Sequence, residues 1–146
     1  MTTSIEIPNI ALPSIEQLVP HRASMLWLDG YDAERQQAWV RVKSDFVFAT
    51  PQGWPSWVAL EIMAQGIAAH NGWRQWQLGL PAEPGMLLQV KGLSSAEPWL
   101  AMGARLWVQI LSCHQAANMG QYSVAVLNDH NQQLANAKLT VMEGLA

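Results

Sequence analysis

The stretch GWPSWVALEIMAQGIAAH, residues 53–70, decides how this chain folds. Pro55 followed by Ser56 is a helix start, and from Trp57 to Trp76 only Gly66 and Gly72 interrupt the pattern. At ~1.5 Å per residue such a helix runs ~30 Å, the width of a small domain. It is apolar almost all round, which marks a buried helix rather than a surface one. One carboxylate, Glu61, stands in its first turns. A lone acid in an apolar helix costs free energy unless it is paired or used. Glu61 is therefore the first candidate for a functional residue.

Outward from the helix, the N-terminal side reads as an extended arm over residues 1–13 and a short helical turn over 14–19. Ser14 caps that turn with Gln17 three residues on, and Pro20 ends it. Residues 25–31 read as a strand, 32–37 as a polar turn, and 38–43 as a half-buried strand antiparallel to the first. Residues 46–55 form an irregular loop feeding the helix. On the C-terminal side, residues 79–85 are rich in breakers. Strands are expected over 86–93, 104–111, 121–127 and 134–142, with turns at 94–98 and 129–132. No repeat or linker divides residues 1–146, so one domain is expected. Two strands, one long apolar helix and a run of antiparallel strands make an α+β protein. A curved antiparallel sheet of five to six strands wrapped around the helix would cover it. This is the hot-dog arrangement. Its edge strands call for pairing across subunits, as a homodimer or a heterodimer with another hot-dog subunit.

Half of the residues are apolar and 13% are charged, which fits a chain that buries surface in an oligomer. The formal net charge is -3 and no Lys/Arg cluster exists, which argues against nucleic acid as a partner. A local patch of Arg22, Arg35, Arg41 and Lys43 is the one feature that suits an acidic carrier protein. The single cysteine, Cys113, permits neither a disulfide nor a zinc site within one chain, and is read as a buried thiol. His and Cys do not cluster at ligand spacing, so neither metal nor cofactor is expected. The N-terminus lacks a basic region followed by an apolar run, and no apolar stretch reaches ~18 residues. A signal peptide and a membrane span are not expected, and the default location is the cytoplasm.

Several motifs carry a resemblance. Leu18-Val19-Pro20-His21-Arg22, followed by an apolar strand ending in Asp29, resembles the opening of the 3-hydroxyacyl-carrier-protein dehydratases of fatty acid synthesis. Leu60-Glu61-Ile62-Met63-Ala64-Gln65 is similar to their central-helix motif, in which the acid is catalytic. The likeness covers nearly the whole chain. It extends to a divergent dehydratase-like branch found with aryl-polyene gene clusters, which has a phenylalanine-alanine loop, a glycine and Pro-x-Trp-Val. Here those are Phe48-Ala49, Gly53 and Pro55-Ser56-Trp57-Val58. One departure stands out. Ordinary members carry Gly-His-Phe-Pro-Gly before the helix, and its histidine is the base. Residues 48–53, FATPQG, hold no histidine.

The resemblance implies dehydration of a 3-hydroxyacyl thioester, on an acyl carrier protein or coenzyme A, to the trans-2-enoyl thioester. That chemistry needs a base, an acid and donors for the developing enolate oxygen. Glu61 suits either of the first two roles. The N-terminus of a buried helix offers free N–H groups and the positive dipole end, so Ser56 and Trp57 are candidate substrate-binding residues. The resemblance places a glycine whose N–H binds the thioester carbonyl at the position of Ser56. Gln65, one turn beyond Glu61, is a further substrate-binding candidate or a hydrogen-bond partner of the acid. Among the four histidines, His70 falls on the opposite helix face from Glu61, and His114 and His130 fall near strand ends or turns. His21 is the best candidate to replace the missing base, although the family's working members also carry this histidine and do not use it as the base. The eight tryptophans fill core and subunit interface or line an acyl tunnel. Met25, Met63, Met86 and Met102 read as core filler. Two other readings stand beside the dehydratase: a non-catalytic hot-dog subunit that partners an active one, and an acyl thioesterase.

Overall fold

The computed structural model describes residues 12–19, 25–83 and 85–143. The arm over 1–11, the stop at Pro20, His21 and Arg22 lie outside the described residues. Helix α1, Ile15–Leu18, is the expected short turn, and the Gln17 side chain accepts the Ser14 N–H at 2.9 Å. Strands β1, Gly30–Asp32, and β2, Gln37–Arg41, follow. The short strand β3, Gly53–Pro55, leads into α2, Val58–Gln77. Five strands follow: β4 Gly85–Ser95, β5 Trp99–Ala101, β6 Arg105–Ala116, β7 Met119–Leu127 and β8 Gln133–Glu143.

Six strands form one antiparallel sheet in the order β1-β2-β6-β7-β8-β4, and β3 pairs with β5 separately. The sheet's inner face is a period-2 set: Val40, Leu106, Val108, Val124, Val126, Ala137 and Leu139 are buried. They pack against Val58, Ala59, Ile62, Met63 and Ile67 of α2 in one core. The α+β hot-dog architecture expected from the sequence is the architecture found.

Two glycines set how closely α2 docks. A Cβ on Gly66 would lie 2.4 Å from Val108 Cγ1, and a Cβ on Gly72 would lie 2.0 Å from the Leu18 carbonyl oxygen. Both would be severe overlaps.

Several expectations need correction. The strand expected over 25–31 shrinks to β1 because a helix side chain, not a strand, takes its early backbone groups. Gln65 Oε1 accepts the Trp27 N–H at 2.9 Å and Gln65 Nε2 donates to the Met25 carbonyl at 2.8 Å. The short pair β3 and β5 was not expected, since three-residue strands carry no periodic signal. Strand β6 runs five residues further than expected, and residues 111–119 are exposed. Cys113 lies in that overrun and is exposed, not buried. Of the methionines read as core filler, only Met63 is buried; Met25, Met86 and Met102 are 60%, 53% and 37% exposed. Finally, α2 is not covered all round. Glu61, Ala64, Ala68, Asn71 and Gln75 form one stripe that stays half-buried. Beside it β4 is the edge of the sheet among the described residues, exposed at every position but the half-buried Val90.

Candidate active site

The half-buried stripe of α2 forms one wall of a groove of about 310 Å³. Gly85 and Leu87 of β4, Val141 and Glu143 of β8, and Gln115 of β6 contribute to the opposite wall. Spacings of three and four along α2 keep Glu61, Ala64, Ala68, Asn71 and Gln75 on this one face. The lining is evenly mixed, with Glu61, Asn71, Arg74, Gln75, Gln115 and Glu143 among apolar side chains, and the volume falls in the range of small-molecule sites.

Glu61 stands nearest the helix start. Gln65 Nε2 donates to Glu61 Oε1 at 3.2 Å, one turn along. Gln65 itself is fully buried. With both backbone bonds to residues 25 and 27, its amide makes three contacts inside the protein. It thereby ties Glu61 to the segment that follows residue 24.

The helix start differs from the sequence reading. The Ser56 N–H donates to the Pro98 carbonyl at 3.0 Å, so it is engaged by the loop before β5. The Trp57 N–H has no backbone acceptor among the described residues. Trp57 is the residue that caps α2, with φ -64° and ψ -20°. It stands four residues before Glu61, ~6 Å along the axis. Its side chain is half exposed and meets Phe48 edge-on, with ring centroids 5.0 Å apart. Phe48 meets Trp27 and Phe46, and Phe46 meets the buried Trp54, so the histidine-free loop is an aromatic cluster beside the helix start. A second cluster, Tyr31, Trp73 and Trp76, lies at the other end of α2.

The described histidines are away from Glu61. His70 leaves the groove face, as its spacing implies, and Nδ1 lies 3.4 Å from the Tyr31 hydroxyl. Burial, with a smaller contribution from Arg74, holds His70 below the usual imidazole range. Burial, helped by Asp32, pushes Tyr31 up to about 12. His114 and His130 are exposed, His114 on β6 and His130 in the turn before β8. Of the cations read as a carrier patch, the three among the described residues are engaged within the chain. Lys43 pairs with Asp29 at 2.9 Å, Arg41 donates to the Gly103 carbonyl at 2.9 Å, and Arg35 lies over the Trp107 ring at 3.7 Å.

A polar network at the far end of the groove escaped the sequence reading. Tyr122, on the inner face of β7, donates a short hydrogen bond to Glu143 Oε1. Asn71 Nδ2 donates to the Tyr122 oxygen and to Glu143 Oε1, each at 3.1 Å, and Gln115 Nε2 donates to Glu143 Oε2 at 2.9 Å. Burial first, and the bond to Glu143 second, raise Tyr122 well above the phenol range. Two signals pointed here. Asn71 shares the helical face of Glu61, and Glu143 continues the inward parity of Leu139 and Val141. Among the described residues no group of three or more His, Cys, Asp or Glu could hold a metal ion. No helix among them is long and apolar enough to cross a membrane.

A family model described as ApeP-like, ApeP dehydratase, matches residues 13–145. The chain belongs to the ApeP-like dehydratase family. At that level it is a hot-dog dehydratase, and the resemblance read from residues 18–29 and 60–65 is borne out. Among solved structures, the dehydratase heterocomplex ApeI:P from Xenorhabdus doucetiae is similar, with 22% identity and a TM-score of 0.78. The match covers 91% of this chain and 92% of that one. The PaaI protein from the phenylacetic acid degradation operon of E. coli is 14% identical, with a TM-score of 0.54 and 73% of each chain covered. A hypothetical thioesterase with coenzyme A from Streptococcus pneumoniae is 13% identical. Its TM-score is 0.54, with 74% of this chain and 78% of that one covered. These likenesses are of fold. No curated protein sequence matches the chain.

Proposed function

We propose that this chain acts in the dehydration of 3-hydroxyacyl thioesters, carried on an acyl carrier protein or on coenzyme A, to trans-2-enoyl thioesters in fatty-acid or polyene-type synthesis. The observation that carries this is the tethered acid: in a dehydratase family, Glu61 is held by a buried Gln65 at the head of a groove along α2. A base takes the proton next to the thioester carbonyl, and the electron pair forms the C2–C3 double bond. The C3–O bond breaks, an acid protonates the departing hydroxyl, and water leaves. Glu61 is the group at the reacting atoms. The Trp57 N–H, at the positive end of α2, is the donor toward the enolate oxygen, in place of the engaged Ser56 N–H. The Ser56 hydroxyl stands beside the same helix end and joins substrate binding. Gln65 positions the acid. His21 is the base in this scheme.

A second hot-dog subunit along the open β4 edge would complete the sheet and close the groove. The histidine-free loop favours a second reading, in which His21 has no chemical role and this chain is the partner of an active hot-dog subunit that supplies the base. The heterocomplex of the similar ApeI:P structure supports that arrangement.

The test uses the purified full chain, alone and mixed with a hot-dog dehydratase subunit, and a 3-hydroxyacyl carrier substrate. Mass spectrometry follows loss of one water. Turnover by the chain alone, abolished in Glu61→Gln and in His21→Ala, supports the complete site. Full activity in His21→Ala removes that residue from the mechanism. Turnover only in the mixture makes this chain the partnering subunit. Release of free thiol without enoyl product points to the thioesterase.

A further inference from the structure

The outer face of the sheet, turned away from α2, holds a cluster that the groove does not use. Strands β4, β6, β7 and β8 contain one acidic residue, Glu143, and its side chain lies in the groove. Two adjacent rungs cross all four strands on the outer face. The register places Lys91, Lys138, Ser123 and Ser112 in one. Gln89, Thr140, Gln121 and His114 form the next. These side chains line a depression of about 370 Å³. Among the described residues none of the eight makes a side-chain hydrogen bond or ion pair.

Three observations set this apart from an ordinary solvated face. Lys91 and Lys138 are direct cross-strand partners, and like charges directly opposite destabilise a sheet. Antiparallel partners stand ~4.5–5.5 Å apart at Cα, so both ammonium groups can close on one anion. Next, the lysine rung is bounded by register shifts at both ends. The pairing of β4 with β8 shifts between Lys91 and Ser94, and that of β6 with β7 shifts between Ile110 and Ser112. Such shifts bend a strand and re-aim its side chains. Finally, the molecule carries a net charge of -3, so an acid-free cationic face runs against its overall charge.

We propose that these rungs bind a phosphate group. Lys91 and Lys138 supply the charge, and the Ser112, Ser123 and Thr140 hydroxyls supply neutral donors of the kind a phosphate oxygen accepts. The site is on the opposite side of the sheet from Glu61 and is independent of the dehydration chemistry. Free phosphate compounds and phospholipid headgroups present the same group, and two arms separate them. Calorimetry of the full chain with inorganic pyrophosphate tests the first. Flotation with phosphatidylglycerol–phosphatidylcholine vesicles, against phosphatidylcholine alone, tests the second. Binding in either arm should weaken with added salt. It should fall about tenfold for each lysine removed, as expected for charge-assisted bonds. The double variant Lys91→Gln/Lys138→Gln should keep its melting temperature in phosphate-free buffer, because the like-charge pair is gone. Pyrophosphate, or the vesicles in the second arm, should stabilise the wild type but not this variant. Arg74→Gln, which removes a cation from the groove side, should leave binding unchanged. Absence of binding in both arms, or equal affinity in wild type and double variant, overturns the proposal.

Discussion

Gln65→Met isolates the role of the buried amide. The substitution nearly conserves volume, so packing contributes less than ~1.5 kcal/mol. It removes the acceptor of the Trp27 N–H at 2.9 Å, the donor to the Met25 carbonyl at 2.8 Å and the donor to Glu61 at 3.2 Å. Each such bond contributes about 0.5–1.5 kcal/mol net. Residues 25 and 27 are only partly covered, so water replaces some of what is lost. The sum is roughly 2–4 kcal/mol, a large part of the ~5–15 kcal/mol that holds a typical domain folded. For 146 residues the unfolding entropy is ~0.3 kcal/mol/K, so Tm should fall by roughly 7–13 °C. Thermal unfolding by circular dichroism, with urea titration for comparison, measures this. Gln65→Glu sharpens the test. It keeps an acceptor for Trp27 but sets a second carboxyl against Glu61 and the Met25 carbonyl. Its Tm should lie below that of Gln65→Met at neutral pH and recover on acidification, when a protonated carboxyl again donates. A Tm for Gln65→Met within about 3 °C of wild type, ~1 kcal/mol, would refute the tether.

Trp57→Pro removes the proposed oxyanion donor while φ stays compatible at -64°. It should lower kcat about 10²–10³-fold, whereas Trp57→Ala, which keeps the N–H, should cost far less; equal losses in a steady-state assay would dismiss the N–H. His70 is held below its unfolded value, so the unfolded chain takes up the proton first as pH falls. The associated stability is present above ~6.5 and is lost on acidification below it. Urea midpoints from pH 7.5 to 5 should decline in wild type more than in His70→Gln, and parallel profiles would exclude His70. Gly72→Ala sets a methyl 2.0 Å from the Leu18 carbonyl oxygen and should destabilise by ~3 kcal/mol or more, read from the urea midpoint. A neutral result would mean that α1 shifts freely.

The architecture was legible because α2 and the long strands carry strong periodic signals. The strand pattern over 134–142 alternates, and β8 buries the matching residues. Glu61 was legible as a polar misfit in an apolar helix, and the structure sets it in a groove. What escaped depended on partners distant in sequence. Strand β1 lost its first residues to Gln65, nearly forty positions away. The Ser56 N–H found its acceptor at Pro98, which no local pattern announces. Asn71, Tyr122 and Glu143 come from three elements, and each looks ordinary alone. Cys113 and Met86 follow apolar habits yet are exposed, on β6 and on the edge strand β4.

The two glycine contacts of α2 leave different marks on how this sequence can drift. At Gly66 the obstacle is a side chain, Val108, so a larger residue there can be accepted if position 108 shrinks in step. Those two positions should covary among relatives. At Gly72 the obstacle is the peptide carbonyl of Leu18, which every amino acid carries. No single exchange elsewhere can compensate, so position 72 should stay glycine wherever α1 is kept and diversify only where α1 has been lost.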